Sequence, residues 1–125
     1  NLDTLRRKIS AVCSNSWSKA RKKLDIPEED DYIGLKSLFH SIRILSFGID
    51  IASSKTIDFT HILVDTETSN NTYVSSERIS CSNLWQRIRQ EYESGWRWNE
   101  FKAKYTPLQN TNATLFRILA PKELD

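Results

Sequence analysis

Leu2, Leu5, Ile9, Cys13, Trp17, Ala20 and Leu24 recur every three or four residues. That is the 3.6-residue period of an α-helix, sustained over the whole opening segment. A strand cannot use such a pattern, because its side chains alternate with period two. The spacing therefore predicts a long helix from about Leu2 to Leu24, with Pro27 and the acidic residues around it as the stop. The next segment, from about Tyr32 to Ala52, is also periodic. Leu35, Leu38, Phe39, Ile42, Leu45 and Ile49 form one face, and Ile33, Ile44, Phe47 and Ile51 spread over the others. A helix that is apolar most of the way round belongs at the centre of a domain. Gly34 and Gly48 inside it each cost about 1 kcal/mol relative to Ala, a cost that makes sense where a neighbouring backbone comes close.

Residues 53–83 change character. Ser, Thr and Asn dominate, most densely in Thr68-Ser69-Asn70-Asn71-Thr72. Phe59, Ile62, Leu63 and Val64 can form a short strand or a helical turn, and Tyr73-Val74 can pair with it as a weak hairpin. We expect an irregular surface insertion here. Ser82 is then the expected cap of a third helix buried through Leu84, Trp85, Ile88 and Tyr92 and stopped by Gly95. A short helix from about Trp98 to Tyr105 follows. Thr106-Pro107-Leu108-Gln109 reads as the start of a separate last helix, with Thr at the cap, Pro at the first position and Gln at the third, closed by Pro121. The fold class is mainly α. It is a compact bundle of four to five helices with one irregular insertion, a possible short hairpin, between the second and third long helices.

The 125 residues, 38% of them hydrophobic, suit one domain with one core. Three Gly, three Pro and two Cys exclude collagen-like and disulfide-scaffold classes. Lys36, His40, Arg43 and Asp50 interrupt the most apolar segment, so it is not a membrane span. Cys13 and Cys81 stand alone without a CxxC pair, so two reduced thiols in an intracellular protein are expected rather than a zinc site. The chain starts at Asn1 and contains no Met, and we read it as an excerpt of a longer protein.

The net charge of +2 conceals segregation. Residues 1–24 carry Arg6, Arg7, Lys8, Lys19, Arg21, Lys22 and Lys23 against Asp3 alone, whereas residues 25–31 hold five acids and no base. Two readings are open: mutual screening on a solvated surface, or a cationic face that meets phosphates. Lys36, His40 and Arg43 recur at i, i+4 and i+7 on one side of the second helix. His40 is either a satisfied core histidine or a residue that faces a cleft with Arg43. Metal ligation there lacks a second ligand at suitable spacing. Asp65-x-Glu67 has the spacing for two carboxylates on one face of a strand, alongside Asp58, but no Gly-Ser nucleotide-binding turn precedes it, and we read the group as an acidic surface loop. Trp96, Arg97 and Trp98 are candidates for an interaction surface, because Trp and Arg are common interface anchors. No P-loop, GxGxxG or GxSxG motif is present.

Three stretches together resemble a known family: Ser14–Leu24, Gly34–Gly48, and Leu84-Trp85 with Lys104–Leu108 and Leu119–Lys122. They are similar to the helical region that follows the catalytic domain in predicted nucleotidyltransferases of the DNA polymerase beta superfamily, RNA-repair-associated members included. Catalysis in that superfamily uses a Gly-Ser turn followed by an Asp-x-Asp pair. This chain has neither, so the resemblance implies no catalytic residue and no metal ligand here. Magnesium and a nucleoside triphosphate would belong to a catalytic part elsewhere. What the resemblance does imply is an accessory domain that closes on nucleotide or nucleic acid, RNA more than DNA, held by that catalytic part. Lys36, His40 and Arg43 fall in a matching stretch. They, with Arg6, Arg7, Lys19, Arg21, Lys22 and Lys23, are the expected phosphate contacts. The alternative is a protein–protein interaction or scaffold domain that uses a Trp-rich surface.

Overall fold

A computed structural model of the chain describes residues 2–25, 31–54, 59–69 and 72–120. Among them run α1 (Leu2–Asp25), α2 (Asp31–Ser54), β1 (His61–Ser69), β2 (Thr72–Ser80), α3 (Cys81–Glu93) and α4 (Trp98–Leu119). This is a mainly helical bundle with one two-stranded sheet. Pro27 and its acidic neighbours 28–30, Asp58 and Pro121 lie outside the described residues.

The apolar stripe of α1 packs along α2, burying Ile9, Ala20 and Leu24. Both helical glycines sit at tight contacts between the two. A Cβ on Gly34 would come within 2.8 Å of Leu24 Cγ, and one on Gly48 within 2.8 Å of Ile9 Cγ2. The central helix α2 also meets α3, α4 and β1. Two apolar clusters result. One gathers Ala20, Leu24, Leu38, Ile42, Leu84, Ile88, Trp98 and Phe101. The other gathers Ile9, Leu45, Ile49, Phe116 and Ala120. A buried polar node ties α1, α2 and α4 together. Ser41 Oγ donates to the Cys13 carbonyl at 3.2 Å, and Gln109 Nε2 donates to Ser41 Oγ at 2.8 Å. Burial raises the Cys13 thiol pKa above its ordinary value, against the smaller opposing effect of its contacts with Ser41 and Gln109.

The insertion is more regular than expected. β1 and β2 are nine residues each and pair antiparallel from His61↔Ser80 to Ser69↔Thr72, with irregularities between Leu63 and Asp65 and between Glu67 and Thr68. Successive strand residues point to opposite faces. Yet Ile62 and Leu63 are both buried, one in each apolar cluster. The base of the hairpin is therefore wedged between helices. Leu63 N–H donates to Ser46 Oγ at 2.9 Å, and its carbonyl accepts from Asn112 Nδ2 at 3.2 Å. Asp50, 4% exposed, holds Arg78 of β2 by contacts of 2.5 and 3.4 Å.

Two helix starts differ from expectation. The cap of α3 is Ser80 rather than Ser82. Its Oγ accepts from Asn83 N–H at 3.1 Å, so β2 runs directly into the helix. Thr106-Pro107-Leu108-Gln109 does not start a helix. It lies in the middle of α4, which runs without interruption from Trp98. The start is held instead by Glu100 Oε1, which accepts the Arg97 N–H at 2.8 Å. Proline is tolerated there because Pro107 and Ala103, whose carbonyl loses its usual partner, both lie on the exposed side. Continuity is favoured by the burial of Phe101, Tyr105, Gln109, Asn112 and Phe116 along one face. Gly95 adopts φ +108° between α3 and α4, the turn its sequence position suggested.

Candidate functional site

The row at Lys36, His40 and Arg43 forms because α2 is helical, which places positions i, i+4 and i+7 on one side. What the periodicity does not reveal is the opposite wall. The packing of α1 on α2 brings Lys19 and Ser16 to the same place. A cavity of about 560 Å³ is lined by Ser16, Lys19, Ile33, Lys36, Ser37, Phe39, His40 and Arg43. Three permanent cations and one histidine thus converge, and no carboxylate lies in the lining among the described residues. No ion pair among the described residues involves Lys19, Lys36 or Arg43.

Aromatic rings position the cations. The Arg43 guanidinium lies 5.1 Å from the Phe39 ring centre and 5.9 Å from that of Phe47. Lys36 Nζ lies 5.4 Å from the Tyr32 ring centre. Each is a four-residue step along the helix, the spacing at which side chains meet. Arg43 Nη2 is 3.1 Å from His40 Nδ1. A guanidinium only donates, so Nδ1 accepts and the histidine is neutral with its proton on Nε2. Partial burial, followed by the charge of Arg43, holds the His40 pKa below its ordinary value. Of the two environments expected for His40, the structure places it at the cleft with Arg43.

A second cavity of about 310 Å³ adjoins the first. Its lining shares Lys36, Phe39 and Arg43 and adds Tyr32, Cys81, Ser82 and Trp85. Trp85 stands edge-on to Tyr32 and Phe39, with ring centres 5.9 and 5.6 Å away. Sequence reasoning assigned Phe39 and Trp85 to the core and overlooked Tyr32. The aromatic residues four positions before Lys36 and Arg43 were the available signal.

The other predicted phosphate contacts divide. Lys22 and Lys23 follow Lys19 at i+3 and i+4 on the same side of α1, with Lys22 exposed and Lys23 half-buried. Arg21 lies about 160° round the helix from Lys19, away from the cavity. Arg6 and Arg7 are spent on Asp3, at 3.4 and 2.7 Å, and line neither cavity. Trp98 is a correction. It is 4% exposed and packs edge-on against Trp17 at 5.0 Å, so it belongs to the core. Trp96 is half-buried against Phe101, and Arg97 folds over Tyr92 at 4.1 Å. The exposed Trp cluster expected of a scaffold surface is not formed by these residues. The side chains of Asp65 and Glu67 lie outside the described set. Among the described residues no three His, Cys, Asp or Glu side chains gather as a metal site, and no helix is long and apolar enough to cross a membrane.

No known protein family, no characterised protein and no solved structure matches the chain.

Proposed function

We propose that this is an accessory helical domain of a nucleotidyltransferase-like protein, and that its groove between α1 and α2 contacts nucleic-acid or nucleotide phosphates. One observation carries the reading: Lys19, Lys36 and Arg43 line one cavity, and among the described residues no carboxylate joins them in its wall. Such a cavity concentrates anions, and the guanidinium of Arg43 suits two oxygens of one phosphate. Neutral His40 adds a donor at Nε2. The polymerase-beta-like resemblance supplies the context, in which the chemistry, with its magnesium and triphosphate, belongs to a catalytic part outside these residues. RNA is the preferred partner in that context.

The test is fluorescence-anisotropy titration with short single-stranded and duplex RNA and DNA at two salt concentrations. Three cations on a single strand predict a log–log salt slope of about −2. Lys36→Ala and Arg43→Ala each lower that slope by about 0.7 and weaken every sequence alike. Salt-insensitive binding, or no binding at low salt, overturns the proposal and favours a protein partner.

A further inference from the structure

We propose that the second cavity takes an unpaired nucleobase, which makes the groove a site for single-stranded nucleic acid; this rests on the phosphate reading above. The inference comes from how the two cavities join. Lys36 and Arg43 border both of them. An anion held by these cations therefore lies within one residue's reach of the aromatic recess. Besides Phe39, over which Arg43 lies, that recess offers two rings, the half-buried Trp85 and Tyr32, which is 63% exposed. Tyr32 is open to solvent over most of its surface, with Lys36 Nζ 5.4 Å from its ring centre and Trp85 edge-on at 5.9 Å, so cation and rings are presented together. Base–aromatic stacking contributes enough per base to be read in affinity, and every base has a π face. The recess, at about 310 Å³, is roomy for such a ring, since about 150 Å³ suffices for benzene.

A paired base cannot use this recess. In a duplex its faces are covered by neighbouring bases, and only phosphates and edges are presented. The site therefore discriminates strand state through its aromatic half while its cationic half remains indifferent. Ser82, an exposed uncharged residue of the lining, has a hydroxyl that both donates and accepts. It matches any base edge, so weak sequence preference is expected.

The experiment compares three probes of equal phosphate count on the full chain: an unstructured single strand, its duplex, and an abasic strand. RNA and DNA versions of the single strand separate the two sugars. The unpaired strand is expected to bind about tenfold tighter than the abasic strand at the same salt, with quenching of tryptophan fluorescence. Trp85→Ala and Tyr32→Ala are expected to abolish that ratio, the Trp85 variant with the salt slope intact. Tyr32 is exposed, so its variant keeps the test valid should the Trp85 variant unfold. Equal, salt-dependent affinity for all three probes overturns the base pocket and leaves the phosphate reading standing. Absence of salt-dependent binding to any probe overturns both.

Discussion

Gly48→Ala tests whether close helix packing or helix propensity governs the middle of this bundle. Glycine in a helix interior is about 1 kcal/mol less favourable than alanine, so propensity alone predicts stabilisation. The structure predicts the reverse. The added Cβ would stand 2.8 Å from Ile9 Cγ2, 3.3 Å from Ile9 Cγ1 and 3.1 Å from Phe116 Cε1. Ile9 belongs to α1 and Phe116 to α4, so a shift away from one neighbour does not by itself relieve the other. Ile9 is 7% exposed, and a β-branched side chain on a helix has little χ1 freedom with which to yield. Overpacking of this kind costs about 1–3 kcal/mol, and contacts with two helices place it in the upper half of that range. Subtracting the propensity gain leaves a net loss of about 1–2 kcal/mol. With a urea m-value of about 1–3 kcal/mol/M, the midpoint falls by roughly 1 M. The decisive control is Ile9→Ala. Alone it destabilises by about 2–5 kcal/mol, and in its background Gly48→Ala becomes neutral or stabilising. A rise in the wild-type midpoint, or strict additivity in the double variant, refutes the steric argument.

Three further outcomes follow from particular contacts. Pro107→Ala restores a donor to the Ala103 carbonyl on the exposed side of α4, and we expect stabilisation by about 1–3 kcal/mol, measured by urea denaturation. A fall in the midpoint would show that the proline is part of the helix's packing. Asp50→Asn removes the charge that holds Arg78 at the base of the hairpin. Because Arg78 keeps 34% side-chain exposure, the cost is expected below the full penalty for a buried pair, at about 1–3 kcal/mol. It should appear as early hydrogen exchange in β1 and β2, and unchanged exchange there refutes it. The His40 pKa lies below 6.5 in the fold, chiefly through burial and then through Arg43. Its neutral form is therefore favoured by folding. The stability it contributes is present above pH 6.5 and is lost as pH falls from there towards the lowered pKa. His40→Gln should flatten that part of a urea midpoint–pH profile, and an unchanged profile counts against the environment described for His40.

The two long helices and the Lys36/His40/Arg43 row were legible because both are single-helix properties set by a 3.6-residue period. The hairpin was harder to read. Its polar residues give a weak period-two signal, and the pair Ile62-Leu63 reads as a short apolar run when in fact each side chain enters a different cluster. Ser46 and Asn112 carried no signal at all, since the Leu63 backbone that each of them bonds reaches its place between α2 and α4 only in the folded chain. Thr106-Pro107 misled for the opposite reason. A correct local start motif was overridden by the buried face that continues through Phe101, Tyr105, Gln109 and Phe116.

Local periodicity thus determined which residues would be helical and which side of α2 would be cationic. Tertiary packing alone decided that Lys19 would face that row, that Trp98 would be core, and that Tyr32 and Trp85 would extend the groove. The physical reason is range. A helix period acts over four residues, whereas a groove exists only between surfaces that are distant in sequence and are brought together by burial of their apolar sides.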